Sequence, residues 1–426
     1  MAGQYDFQNR RSFQQKPSGS HRRDTARHAR PVPRGTGSGV RQMFSGIPMT
    51  KGDMDYPFLI AVGLLLAFGL IMLFSAGSAK AFATFGDSLY FVKSQVKGVV
   101  IGGVMMWFFS KVDYHVLGRW AAVALAGSIF LLVLVVIPGV GTNRNGATRW
   151  LFGFQPSELA KCAVILFFSY SLSQNRNLLG SFRHGFLPYL VVLGVVVVLL
   201  MLEPHFSCSL LIILTGCLML FIAGTPMKHF GYIMAPGVLA AAALVIKAPY
   251  RMARITAFLN PFADKQGDGW QIVQSLYAIG SGGLFGVGLG KSRQKYLSLP
   301  EPQNDFIFSV LAEELGLLGA ILLIVLFLFL IVRGIKIASK SPDLFGKLLV
   351  TGIIGIVAFQ AIINIAVVTS SIPVTGMPLP FFSFGSTALS ITMAEMGIVL
   401  NVSRQAQMES GLGTRKSNPI RPVRLT

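Results

Sequence analysis

Runs of eighteen or more apolar residues recur from Tyr56 to the C-terminal region, and they limit what the chain can become. Each is long enough to cross a hydrocarbon core of about 30 Å as an α-helix. A backbone in such a core must satisfy its own hydrogen bonds, which favours helices, and the two-residue alternation of a membrane β-barrel is missing. Charged residues make up 13% of the chain and hydrophobic ones 53%, with mean hydropathy +0.62. A soluble domain carries about a quarter charged residues, so most of this surface has to face lipid. The expected fold is an all-α polytopic membrane protein.

The pattern predicts ten spans, near 56–76, 90–110, 118–138, 157–173, 186–202, 206–224, 229–246, 305–332, 347–369 and 385–402. An even number puts both ends on one side, which the bias of Lys and Arg makes the cytoplasm. Connections near Lys111, Arg176 to Arg183, Lys228 and Arg333 to Lys347 fall on that side and are basic. Residues 1–52 carry ten Lys and Arg among Pro, Gly, Ser and Gln, the composition of a disordered cytoplasmic tail. Residues 404–426 form a second basic tail, and 53–403 is expected to be one transmembrane domain. The net charge of +20 therefore reports orientation, and no nucleic-acid partner is expected. The first apolar run follows a long polar tail, so it should act as an uncleaved anchor. Cys162, Cys208 and Cys217 lie in apolar stretches without metal-like spacing, which argues against a disulfide framework or a zinc site.

The segments left outside are 77–89, 139–156, 203–205, 247–304 and 370–384. The fourth, between the seventh and eighth spans, is the longest and breaks the charge rule. It sets Lys247, Arg251, Arg254, Lys265, Lys291, Arg293 and Lys295 against Asp264, Asp268 and Glu301. Length alone frees a loop from the bias; the functional reading is an anionic ligand at the outer leaflet. Within it, Gly280 to Ser292 ends in Gly-Lys-Ser but is no P-loop, because Phe285 stands where the leading glycine is required. Its glycines are expected to allow tight turns and close backbone approach.

The loop ends in Leu299-Pro-Glu-Pro-Gln-Asn-Asp-Phe-Ile-Phe308 and enters an apolar helix, with Asn304 or Asp305 at the expected N-cap. Asp caps helices well. The same position also suits a general base at the membrane boundary, and both readings stand at this point. Glu158 and Lys161 are three apart on one helix face, and Glu313, Glu314 and Glu395 fall inside predicted spans. Charged groups at that depth pair with each other or line a cavity. Arg149 lies on the outer side just before the fourth span. His205, in the turn Glu203-Pro-His205, is alone, which is more often structural than catalytic.

These landmarks, in this order, resemble the SEDS family (shape, elongation, division and sporulation) of bacterial peptidoglycan polymerases across nearly all of 56–403. The resemblance rests on Asn145-Gly-Ala-Thr-Arg-Trp150, Gln155-Pro-Ser-Glu158, Asn260-Pro-Phe262, Gln274-Ser-Leu-Tyr-Ala-Ile-Gly280, the glycine run ending at Gly290, Leu299-Pro-Glu301, Asp305-Phe-Ile-Phe308, Glu313-Glu-Leu-Gly316 and Pro373-Val-Thr-Gly-Met-Pro-Leu-Pro380. The wording is closer to the FtsW and SpoVE branch than to the RodA branch.

The resemblance implies polymerisation of lipid II into glycan strands at the outer face of the membrane, at a division or sporulation septum. Asp305 falls on the family's essential aspartate, the base for the acceptor sugar hydroxyl, and polyprenyl pyrophosphate leaves the donor. Candidate substrate contacts are Arg149, Arg251, Arg254, Lys291, Lys295 and Glu301; Glu158, Lys161 and Glu314 are the candidate polar groups of a cavity. A divalent cation (Mg²⁺ or Mn²⁺) could assist, although no metal-ligand spacing marks a site. The implied partners are a class B penicillin-binding protein and other divisome or sporulation proteins. The chain departs from the family pattern at Asn304, His205, Ser207, Phe384 and Ser386. A flippase or transporter of the lipid-linked precursor and a non-catalytic division scaffold are the competing functions.

Overall fold

The computed structural model describes residues 53–416 apart from 145, 146, 152, 247, 248, 264–266, 268 and 298. The expected N-terminal tail and the last ten residues lie outside the described residues. Everything described belongs to the larger of two units, Ile47–Thr426.

A helix occupies each of the ten stretches marked by apolar runs. They are α1 (Tyr56–Phe85), α2 (Tyr90–Lys111), α4 (Ala121–Val136), α5 (Pro156–Gln174), α6 (Leu187–Leu202), α7 (Phe206–Ala223), α8 (Met227–Ile246), α12 (Ile307–Ser339), α13 (Leu344–Val368) and α14 (Ser386–Lys416), with a short α3 (Tyr114–Arg119) leading into α4. Among the described residues, five are long and apolar enough to cross a membrane: Tyr56–Phe85, Phe182–Leu202, Phe206–Ala223, Ile307–Ser339 and Leu344–Val368. α1 runs nine residues past its expected end at 76, because the chain stops only where Gly86 turns left-handed (φ 70°) and its amide caps the Phe82 carbonyl. α14 likewise continues into the segment expected as a tail.

Two features depart from the all-α expectation of bare connecting loops. β1 (Thr142–Arg144) and β2 (Ala147–Trp150) form an antiparallel hairpin, pairing Asn143 with Thr148 and Arg144 with Ala147. Asn-Gly is a favoured hairpin turn, though Asn145 and Gly146 lie outside the described residues. The 247–304 segment also holds α9 (Pro249–Leu259), α10 (Trp270–Ser281) and the single turn α11 (Gln294–Leu297). Its charges hide a helical period: α10 buries Ile272, Val273, Ser275 and Ala278. Ser275 Oγ donates to the Val368 carbonyl at the end of α13 (2.6 Å) and meets Ser309 Oγ of α12 (2.7 Å).

α12 is interrupted. Gly316 has φ 67° and ψ −165°, a conformation open essentially to glycine alone. The break frees carbonyls and amides that a buried backbone must re-pair, and the glycine run supplies the partners. Val287 and Gly288 amides donate to the Glu313 and Glu314 carbonyls (both 3.0 Å), while Leu317 and Leu318 amides donate to the Gly283 and Leu284 carbonyls (2.9 and 3.2 Å). At Gly286 a side chain would overlap the Glu314 carbonyl, so the approach demands glycine.

The same junction buries a charge cluster. Lys295 Nζ sits 2.7 Å from Glu314 and 3.1 Å from Ser75 Oγ of α1; Ser75 Oγ in turn donates to Glu314. Glu313 accepts from Ser292 Oγ (2.5 Å) and the Arg293 amide (2.8 Å). The segment that carries the glycine run is thus tied to α12 by backbone and by charge, and to α1 through the Ser75 hydroxyl. At the opposite end of the helices, Asp55 pairs with Arg333 (2.5 Å) and Tyr114 donates to Asp343 (2.6 Å).

Gly316→Ala should therefore cost more than the about 1–3 kcal/mol of strain at such a backbone, since its Cβ would also overlap the Gly286 amide and Leu284 carbonyl. Gly63→Ala, with open space around it, should be tolerated. Thermal unfolding and monodisperse yield of the detergent-solubilised variants check the contrast.

Candidate active-site cavity

A cavity of about 630 Å³ opens where the C-terminal end of α1 meets the N-terminal ends of α2, α5, α7 and α14. It is lined on one side by the turn 301–305 and on another by the extended segment 376–385. Polar side chains rooted in the helices hold these two strips together. Asn364 of α13 donates to the carbonyls of Asp305 (2.8 Å) and Met377 (2.6 Å). Gln360 donates to Pro378 (2.9 Å). Gln95 of α2 donates to the Ser383 carbonyl (3.2 Å) and accepts from the Gly385 amide (3.0 Å). Ser383 Oγ donates to the Asn304 carbonyl (2.6 Å), and the Phe384 amide to Gln303 (2.9 Å).

Asp305 lines this cavity, partly exposed, with its carboxylate against Gly376. A Cβ on Gly376 would stand 3.2 Å from Asp305 Oδ2, so the left-handed glycine (φ 70°) leaves room for the acid. The cap of α12 falls on Phe306, which makes no side-chain cap bond, rather than on Asn304 or Asp305. Asn304 is used differently: its Nδ2 donates to Glu301 (2.9 Å).

Of the other candidate residues, Arg149, Glu158, Lys161 and Glu301 share the cavity with Asp305. Glu158 and Lys161 pair at 2.9 Å, buried in the first turns of α5. Arg149, carried by β2, reaches the Glu203 carbonyl (3.3 Å) and the Pro204 carbonyl. Glu301 pairs with Lys80 of α1. Lys291 is exposed and does not line the cavity. Lys295 and Glu314 lie apart from it as the buried pair at the helix break. Arg251 and Arg254 belong to α9, and their side chains lie outside the described residues.

Sequence reasoning missed Lys80, because the first span was expected to end before it; Gly86 was the signal of the true end. It also missed the clamps Gln95, Gln360 and Asn364, although amides inside apolar runs mark functional or packing roles. Ser207, noted only as a departure, donates from α7 to the Thr375 carbonyl. Four residues other than glycine have positive φ among the described residues: Pro204, Glu301, Ser370 and Phe381. Glu301 and Phe381 line the cavity and Pro204 touches Arg149, so backbone strain concentrates there.

The turn beside Arg149 is electrostatically unusual. Glu203 is buried, and no hydrogen-bond partner meets its carboxylate among the described residues. Burial raises it from 4.5 to about 8, against the pull of Arg149. Burial, together with Arg149 and Lys161, lowers His205 from 6.5 to about 3. His205 is thus held as a neutral, partly buried imidazole at the cavity wall.

Residues 56–408 match the model of the cell cycle protein family FtsW/RodA/SpoVE. The chain belongs to this family. It is 45% identical over 361 residues to the stage V sporulation protein E of Bacillus subtilis, covering 84% of this chain and 99% of that one. It is 41% identical over 356 residues to a probable peptidoglycan glycosyltransferase FtsW of Geobacter sp. (strain M18), covering 82% and 96%. Among solved structures it is similar to a chain from a peptidoglycan synthase complex that coordinates polymerization and crosslinking (28% identity, TM-score 0.68, 83% and 98% covered). It is also similar to the rod shape determining protein RodA of Thermus thermophilus (27% identity, TM-score 0.61, 82% and 96% covered). Like these FtsW/RodA/SpoVE relatives, the chain is a membrane protein. Among its described residues no three His, Cys, Asp or Glu converge as a metal site.

Two outcomes follow for stability. Lys295→Met should strand the buried Glu314 carboxylate and cost about 3–5 kcal/mol, whereas Lys291→Met at the surface should stay within about 0.5 kcal/mol; denaturant unfolding compares them. Between pH 4.5 and 8 the folded chain keeps a Glu203 proton that the unfolded chain has lost, so stability falls as pH rises. Between pH 3 and 6.5 the unfolded chain binds a His205 proton that the folded one refuses, so this contribution falls as pH drops. The two slopes oppose each other from 4.5 to 6.5, and of these two groups only Glu203 acts from 6.5 to 8. Glu203→Gln should lessen the decline in that upper window when unfolding is followed against pH.

Proposed function

We infer that this chain is a peptidoglycan glycosyltransferase, and propose that it polymerises lipid II at the outer face of the bacterial cytoplasmic membrane during septum synthesis in division or sporulation. All ten apolar helices would span, with both termini cytoplasmic and residues 247–304 outside. The observation that carries the reading is Asp305: a carboxylate in a cavity at the helix ends whose lining also includes Arg149 and Lys80, in a chain whose relatives include named peptidoglycan glycosyltransferases.

In the proposed reaction Asp305 takes the proton from the acceptor sugar hydroxyl. The acceptor oxygen bonds to the anomeric carbon of the donor, and the bond from that carbon to the diphosphate oxygen breaks, releasing polyprenyl diphosphate. Negative charge develops on the leaving group, and cations already in place stabilise it best. Arg149 faces the same cavity as Asp305; Arg251, Arg254 and Lys291 are proposed to add positive charge toward the leaving group. Lys295 is committed to Glu314, and Glu301 to Lys80. Similarity to a synthase complex that coordinates polymerization and crosslinking supports a class B penicillin-binding protein as partner, with other division or sporulation proteins around it.

A second reading, passage of a lipid-linked precursor, draws on one observation: the cavity reaches the buried Glu158–Lys161 pair within α5. Charged groups at depth also line transport routes.

Asp305→Asn separates the readings. Asparagine keeps the shape and loses the base, so purified protein with its partner should insert and fold but make glycan at least about a hundredfold more slowly, the scale of general-base catalysis. Equal glycan synthesis by the two proteins would remove Asp305 from the chemistry, and precursor movement across vesicles in the absence of polymerisation would favour the second reading.

A further inference from the structure

We propose that Lys80 is a positioning residue for Asp305, acting through Glu301; this rests on the reading of Asp305 as the base. Lys80 lies in the last two turns of α1, and its Nζ is paired with Glu301 Oε1. The other oxygen, Oε2, accepts from Gln303 Nε2 and Asn304 Nδ2, both at 2.9 Å. The Asn304 amide closes back on the Glu301 carbonyl at 2.9 Å. One carboxylate therefore gathers a helix and two side chains, and it organises the turn that delivers Asp305.

The backbone shows that this turn is held rather than relaxed. Glu301 has φ 52°, in the left-handed region that side-chain-bearing residues seldom adopt. Its conformation persists because Lys80, Gln303 and Asn304 over-determine it, and strain maintained in this way at a cavity wall points to function. Asp305 is anchored on its far side by Asn364, which grips its carbonyl at 2.8 Å. With the carbonyl fixed to α13 and the preceding turn fixed to α1, the carboxylate is aimed from both ends toward Gly376.

A stabilising ion pair is the plainer account of Lys80 and Glu301. Their side chains are 35% and 39% exposed, however, and solvent screens a pair in that setting, which adds little to stability. Its effect should fall on the aim of the turn instead. Misplacement by about 1 Å can slow an enzyme by about a hundredfold.

The full-length protein, assayed on lipid II with the partner that supports wild-type turnover, tests this directly. Lys80→Met and Glu301→Gln should each lower kcat by about tenfold to a hundredfold, with KM for lipid II and the unfolding temperature near wild type. Lys80→Arg should retain most activity. The double variant should be no slower than the worse single one, because both changes break one linkage. In an Asp305→Asn background, Lys80→Met should slow the residual reaction no further. A raised KM with unchanged kcat in Lys80→Met would overturn the proposal and make Lys80 a direct ligand of the substrate. Multiplicative losses in the double variant, or wild-type kcat in Lys80→Met, would also overturn it. If Lys80→Met fails to fold, Glu301→Gln, which removes the charge of the same pair, carries the comparison. An inactive Asp305→Asn beside a fully active Lys80→Met would defeat only the positioning role. An active Asp305→Asn would defeat the base assignment, whatever Lys80 does.

Discussion

The break at Gly316 is the constraint around which the neighbouring structure is arranged. A helix interrupted inside a protein of this kind exposes backbone groups that water cannot reach, and each one left unpaired costs several kcal/mol. The glycine run 283–288 meets that demand with four backbone hydrogen bonds, two in each direction. Once the run is docked, Ser292 and Lys295 are carried to Glu313 and Glu314, and Lys295 reaches Ser75. Segments that follow the run begin from a fixed point, including the turn 301–305. A rigid start is what allows a single aspartate, far along the chain from the walls built by α1, α2, α5 and α7, to occupy a defined place.

Much of the fold was legible because lipid-facing helices have few alternatives. The apolar runs marked ten helices, and their starts at Tyr56, Tyr90 and Phe206 coincide with the expected ones. Helix ends were harder to read. α1 continues through Ala-Lys-Ala-Phe-Ala, which is helix-forming but less apolar, and only the left-handed Gly86 halts it. Lys80 was thereby misread as a loop residue. The 247–304 segment was read by charge, which concealed the amphipathic period of α10. Its glycines were expected to permit close approach to a ligand or to neighbouring helices, and a helix is what they meet; that the helix is broken at the contact depends on Gly316, beyond the reach of local pattern.

The candidate site was half visible. Asp305, Glu301, Arg149 and the Glu158–Lys161 pair do share a cavity, and motif order alone grouped them. Lys295 carried the same charge in the same loop, yet its side chain is buried against Glu314, nineteen positions away in sequence. Composition cannot distinguish a cation that faces solvent from one committed to a carboxylate, because that depends on contacts across the chain. The clamps Gln95, Gln360 and Asn364 were invisible for the same reason: each is an ordinary amide until the strip it holds is known.

α2 packs against α14, where Ser390 donates to the Gly98 carbonyl (2.9 Å). The strip just before α14 forms one wall of the cavity. Segments made far apart in the order of translation are thus required together. A nascent chain still short of residue 386 can hold Lys80, Glu158 and Asp305, but it lacks the helix that seats 376–385 against Gln95. The enclosure therefore waits for α14. The order of the sequence keeps the cavity short of one wall until that helix has been made and packed against α2.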